Sequence, residues 1–242
     1  MDRATVFDIS GPYAHYRKNY SPASPVTFPC PTPSAVLGLL GAIAGFEKRE
    51  YLSIFASGKY GIAIRLLAPV QKFRAGINLI NTKLDPKTFR LKGKSPRIQI
   101  PFEFLRDVHF RIYFWHESKA AYNPILAQLD KGTTVFTPSL GLAQCIAEID
   151  FQGEHPLMHQ SANTAIAIDS VVPIDDQISF TFEPKKKYQR FTVPVDMRPG
   201  RIVTKYQNAI AEENGHSIQV SGSSAYDCNG DTICFFESLG VD

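Results

Sequence analysis

The sequence predicts an α+β fold: a ferredoxin-like core in the order β-α-β-β-α-β, followed by a smaller β-rich region. Three observations predict it. Two stretches with helix signals, at 32–46 and at 123–131, are each flanked by strand-like runs. A basic segment with weak alternation, 71–101, separates the two halves and reads as a long hairpin. After about residue 154 the pattern changes to short strand runs divided by turn dipeptides. The expected division is therefore a core over 1–154, with the hairpin at about 71–104, and a β-rich domain over 155–242.

The elements follow in order. Residues 5–10 alternate as a short strand, which Gly11-Pro12 is expected to end. A long loop then runs to Pro33 through Pro22, Pro25, Pro29 and Pro31. Loops of this length are usually functional or pinned. Thr32 suits an N-cap and Pro33 the first helical position. Val36, Leu39, Leu40 and Ile43 give that helix its apolar face, while Gly38, Gly41 and Gly45 form a second strip. Glycine weakens a helix interior, so the strip suggests close approach of another backbone, a ligand or a subunit. Strands are expected at 60–67 and 108–115, a helix capped by Asn123 with Pro124 at its first position, and a strand at 144–151. Beyond these, strand runs at 166–173, 178–182, 190–195, 218–221 and 232–236 are separated by Asp175-Asp176, Arg198-Pro199-Gly200, Asn214-Gly215 and Asn229-Gly230. A short helix is expected near 206–213.

Composition narrows the class. Hydrophobic content of 44% with 20% charged residues is that of a soluble globular chain, and 17 prolines with 16 glycines disfavour a helical bundle. The net charge of +3 is uneven: nine basic residues face two acids between Lys72 and Arg106, so that segment is +7 and the remainder −4. A basic arm on a mildly acidic body suggests a polyanionic partner. Cys30, Cys145, Cys228 and Cys234 have no metal-ligand spacing and read as free thiols of a cytoplasmic protein. No signal peptide, membrane span, phosphate-binding loop, dinucleotide fingerprint or nucleophile elbow is present, and no metal or cofactor is expected.

The chemistry-bearing stretch is Tyr13-Ala14-His15-Tyr16-Arg17-Lys18-Asn19-Tyr20. It interleaves flat rings with cations, the mixture that holds single-stranded nucleic acid. The same residues read equally as core tyrosines beside solvated cations. His15, Tyr16 and Lys18 also suit acid–base chemistry, but no convincing catalytic partner for His15 is found in the chain. His109 and His116 are an odd number of positions apart in one strand and are expected on opposite faces.

Two motifs carry a resemblance. Phe7-Asp8-Ile9-Ser10-Gly11-Pro12-Tyr13-Ala14-His15-Tyr16-Arg17-Lys18, followed by the run from Pro31 to Gly45, resembles the N-terminal signature of the CRISPR-associated Cas-five family, in its type I-B form. Thr137-Pro138-Ser139-Leu140-Gly141 resembles that family's second landmark. The resemblance implies a repeat-associated (RAMP) protein with a ferredoxin-like core and a thumb hairpin. It implies a non-catalytic Cascade subunit that caps the 5′ handle of the CRISPR RNA in antiviral defence. Its partners would be that RNA, the large subunit and the backbone subunits, with target DNA near the protospacer-adjacent motif as a further candidate and no membrane. The RNA-binding residues would be Tyr13, His15, Tyr16, Arg17 and Lys18, then Arg74, Lys83, Lys87, Arg90, Lys92, Lys94 and Arg97 of the hairpin, and Leu140 and Gly141. The alternative is a metal-independent endoribonuclease that processes precursor RNA, as in a related branch. The family's helix motif often begins Pro-Pro-Arg; here Pro31-Thr32-Pro33-Ser34 lacks the arginine.

Overall fold

The computed structural model describes residues 2–21, 24–81, 97–161 and 165–238. Its centre is an antiparallel sheet in which β1 (Arg3–Ala14) lies between β4 (Arg97–His116) and β5 (Glu148–Pro156). β2 (Tyr60–Leu66) pairs with the far side of β4, and β15 (Phe236–Ser238) closes that edge. The central order is thus β15-β2-β4-β1-β5. Helices α1 (Pro33–Ala44), the single-turn α2 (Tyr51–Phe55) and α3 (Lys119–Asp130) cover one face. Phe7, Ile9, Ile62, Ile64, Phe110, Ile112 and Phe114 meet Leu37, Leu40, Ile43, Ile125 and Leu129 there.

The other face is covered too, which explains why β1 and β2 are buried almost continuously instead of alternating. Ala4, Val6, Ala63 and Tyr113 pack on Cys228, Ile233 and Phe235. Cys228 and Ile233 come from β13 (Ser224–Cys228) and β14 (Asp231–Ile233), joined by a turn with Asn229 and Gly230 at positive φ, and Phe235 from the link between β14 and β15; β6 (Met158–Ser161) pairs beside β13. Beneath them lies a polar cluster. Asp8 accepts from Arg111 Nε at 2.7 Å and Nη2 at 3.0 Å, while Asp231 binds Arg65, Tyr113 and Arg111. Two further small sheets complete this region: β7 (Ile166–Ile168), β12 (Ile218–Ser221) and β9 (Ser179–Thr181) form one, and β8 (Val172–Ile174), β11 (Ile202–Glu212) and β10 (Tyr188–Arg198) the other. Phe191, Val193, Val195, Ala209 and Ala211 join the same core as the helices, so packing crosses the expected boundary, which itself falls within β5.

Several elements differ from the sequence expectation. β1 does not stop at Gly11-Pro12 but runs to Ala14, because Pro12 needs no amide donor where the pairing skips from Gly11↔Val108 to Tyr13↔Arg106. α3 begins at Lys119, not after Asn123, and carries Pro124 inside it. Its first turn is held by tertiary contacts: Ala121 is fully buried, and the Tyr122 hydroxyl meets Thr5 Oγ1 at 2.6 Å and Glu154 Oε1 at 2.9 Å. The last core strand starts at Glu148 instead of 144, since residues 138–147 fold into a compact loop. Residues 206–212 are strand, not helix, paired along β10. The segment after residue 70 is a hairpin at its base: β3 (Gln71–Ile80) pairs with β4 from Gln71↔Arg106 to Ile80↔Arg97. Asp107 adopts φ 50° where β4 exchanges β2 for β3 as its neighbour.

Candidate nucleic-acid interface

Beyond Ala14 the chain is pinned residue by residue. His15 N donates to Leu140 O at 3.0 Å, and Phe28 N to Tyr16 O at 2.8 Å. Lys18 N donates to Val26 O at 2.9 Å, and Tyr16 N to Thr27 Oγ1 at 2.9 Å. Residues 16–18 therefore run antiparallel to 26–28, through an Arg17↔Thr27 bridge. Alternation does the rest: Tyr16 turns inward and is buried, while Arg17 turns outward and is exposed.

Arg17 lines a cavity of about 520 Å³. One wall is the start of α1, contributing Thr32, Ser34, Ala35 and Gly38. The others come from Ser139, Gly141 and Leu142, and from the β10–β11 hairpin through Pro194, Met197, Arg201, Val203 and Tyr206. The start of α1 is well made, with Thr32 Oγ1 accepting from Ala35 N at 3.2 Å and Pro33 next in the chain. The charged lining residues are Arg17 and Arg201, and no carboxylate lines the cavity among the described residues. It is thus a place for an anion flanked by apolar surface.

The glycine strip of α1 has three separate causes, and none is the approach of another backbone. A Cβ at Gly38 would meet nothing within 4 Å, since it faces the open cavity. Gly41 sits against the Tyr51 side chain, and Gly45 caps the helix at φ 81°. Gly141, at φ 94°, packs where a Cβ would collide with the His15 carbonyl.

Of the expected RNA-binding residues, His15, Tyr16, Arg17 and Gly141 come together around this cavity. His15 and Tyr16 do not form an outward-facing aromatic platform, however; they are 1% and 5% exposed. The strand pairing of 16–18 with 26–28 requires this. His15 packs against the Phe102 and Phe104 rings and donates from Nδ1 to Glu103 O at 2.6 Å. Burial lowers its pKa, partly offset by that carbonyl. Burial likewise raises the Tyr16 hydroxyl well above its ordinary range and pushes the Cys30 thiol up to about 12. Leu140 is fully buried and acts through its backbone, which holds His15.

Lys18 lies one step along, its Nζ 5.6 Å from the Phe28 ring centroid and 5.8 Å from that of Tyr20. Tyr13 and Arg74 are placed elsewhere: Tyr13 pairs with Arg106 and packs its ring 5.3 Å from Phe73, at the base of the hairpin. Arg74 is exposed on β3, and Arg97 pairs with Ile80 at the end of the described hairpin. Lys83, Lys87, Arg90, Lys92 and Lys94 lie outside the described residues. His109 and His116 fall on opposite faces of β4: His109 Nε2 approaches Asp8 at 3.6 Å, whereas His116 is buried beside Phe55. Sequence reasoning missed Arg201 and Tyr206. A signal for Tyr206 was present, since Ile202, Thr204, Tyr206 and Asn208 alternate at period two on the exposed face of β11, whereas Arg201 lies in the turn before that strand.

No helix among the described residues is long and apolar enough to cross a membrane. Over residues 5–210 the chain matches a family model described as a CRISPR-associated protein (Cas_Cas5). A CRISPR protein from Archaeoglobus fulgidus shares the fold with a TM-score of 0.59 at 12% identity, covering 96% of this chain and 98% of that one. A chain of a CRISPR RNA-guided surveillance complex superposes with a TM-score of 0.49 at 12% identity, over 93% of this chain and 91% of that chain. No curated protein matches in sequence.

Proposed function

The chain belongs to the CRISPR-associated Cas5 family, and from that premise we propose that it is a non-catalytic RNA-binding subunit of a type I Cascade complex, of the I-B kind. It caps the 5′ handle of the CRISPR RNA and joins the large subunit to the backbone subunits in the cytoplasm, supporting RNA-guided DNA recognition. In this reading β2-β4-β1-β5 with α1 and α3 is a ferredoxin-like core, and the β3–β4 hairpin with its basic continuation is the thumb. The observation that carries it is the cavity whose charged lining, among the described residues, is Arg17 and Arg201. Such a site suits a phosphodiester bend, with the apolar walls against sugar and base.

Salt dependence tests this. Each phosphate contact to a single strand contributes a slope of about −0.7 in log K against log salt. The variant Arg17→Ala/Arg201→Ala should bind handle RNA more weakly and with a slope shallower by about 1.4. An unchanged slope and affinity would sink the proposal.

One observation favours the endoribonuclease alternative: His15 Nε2 is unpartnered beside the cavity. Against it, His15 is nearly inaccessible and Tyr16 is kept protonated by burial. Cleavage of repeat RNA in chelator, lost in His15→Ala, would replace the non-catalytic reading.

A further inference from the structure

We propose a second RNA subsite next to the first, where an unpaired base stacks on Tyr206 and Tyr20 and its phosphate meets Arg190 and Lys18. This rests on the RNA-binding reading of the first cavity but assigns new residues and a defined ligand chemistry.

A depression of about 480 Å³ adjoins the first cavity and is lined by Lys18, Asn19, Tyr20, Phe28, Arg190, Phe191, Thr192 and Tyr206. The two share Asn19, Phe28 and Tyr206, and the Asn19 Nδ2 to Tyr206 Oη hydrogen bond of 3.1 Å links their walls. A strand leaving the first cavity passes over this bridge into the second. Tyr20 is 70% and Tyr206 51% exposed, so two large rings are left in water at one place. Tyr206 pairs with Pro194, and Arg190 lies four residues back along the same strand. Both therefore project from the same face of the β10–β11 ribbon. Lys18 lies near the Tyr20 and Phe28 rings, and no carboxylate among the described residues lines the depression.

Exposed rings with cations and no acids recognise a base face and a phosphate together, which a paired duplex cannot offer. Tyr20 and Tyr206 carry no packing load comparable to Tyr16, so their removal should leave the fold intact.

The experiment uses the full chain with a short single-stranded RNA and the same sequence as a duplex. In Tyr206→Trp the new indole should be quenched by the single strand and not by the duplex. Trp115 is the chain's own tryptophan and provides the baseline. Tyr20→Ala/Tyr206→Ala should keep its melting temperature and lose about tenfold in single-strand affinity with the salt slope unchanged. Arg190→Ala should instead make the slope shallower. If the tyrosine variant binds like the wild type while Arg17→Ala/Arg201→Ala is impaired, the second subsite is overturned and the first stands. If both variants bind like the wild type, or the wild type binds no RNA, both readings fall. Equal quenching by duplex overturns stacking.

Discussion

His116 is bonded in a way that requires the neutral ring, and His15 is buried with its Nε2 unpartnered. His116 Nε2 donates to Phe55 O at 2.9 Å while Nδ1 accepts from Ser118 N at 2.9 Å. A proton on Nδ1 would face that amide N–H. Burial lowers the pKa of both histidines below 6.5, more than their hydrogen bonds restore. Below 6.5 the unfolded chain then binds more protons than the folded one, so stability rises with pH across that window. It is complete above 6.5 and falls as pH drops towards the depressed folded values. A thermal melt at pH 5.5 should lie below one at pH 7.5, and His116→Gln should flatten the difference; an equally steep dependence in that variant would refute the assignment. Glu212 acts lower. Burial pushes its carboxyl up, but the amides of Lys187, His216 and Asn214 outweigh this and hold it below 4.5. Its contribution is present above 4.5 and disappears as pH falls through its folded value, a second step that Glu212→Gln should remove.

Helix α1 allows a sharper separation, because its glycines differ in what surrounds them. Gly38→Ala fills open space and removes backbone freedom, so it should stabilise by about 0.5–1 kcal/mol. Gly45→Ala forces a side chain into φ 81° against Val135 and should cost about 1–2 kcal/mol or more. Denaturant midpoints measured on the two variants should move in opposite directions; a loss at Gly38 would mean that the helix packs differently there. From sequence the start of α1 was legible because capping is local chemistry: Thr32, Pro33 and their spacing to Ala35 suffice. The Asn229-Gly230 turn was legible for the same reason. The start of α3 was not, since Ala121 and Tyr122 are held by Thr5 and Glu154, which are distant in the chain. Nor was the strand at 206–212, whose short polar–apolar run fits either period until β10 is placed beside it. The cavity shows the same division. Arg17 was visible as a cation in a suggestive stretch, but the burial of His15 and Tyr16 depends on 26–28 folding back.

At the scale of the molecule the central sheet is held between two layers, and the polar cluster on its back face ties the layers together. Asp231 on β14 is shared by Arg65 of β2 and by Arg111 and Tyr113 of β4. Asp231→Ala takes away the ion-pair partner of half-buried Arg65, while Arg111 keeps its two bonds to Asp8; Asp231→Asn keeps the shape and part of the hydrogen bonding. Removing one partner of a buried ion pair costs about 3–5 kcal/mol, and some residual exposure of both arginines places this site near the lower end. The aliphatic core nevertheless runs from α1 through Phe191, Val193 and Ala209, so the C-terminal strands share the interior of the helices and sheet. Segments that share a core tend to unfold together. Trp115 packs with the back-face cluster and reports that layer, while far-ultraviolet circular dichroism reports the whole chain. In the wild type the two signals should fall together on denaturant titration. In Asp231→Ala, with the tie cut, fluorescence should change first if the C-terminal layer is an independent unit, and both should shift equally if it is not. The shared core argues for the second outcome. A separate early fluorescence transition in the wild type would support the division near residue 154 that the sequence suggests.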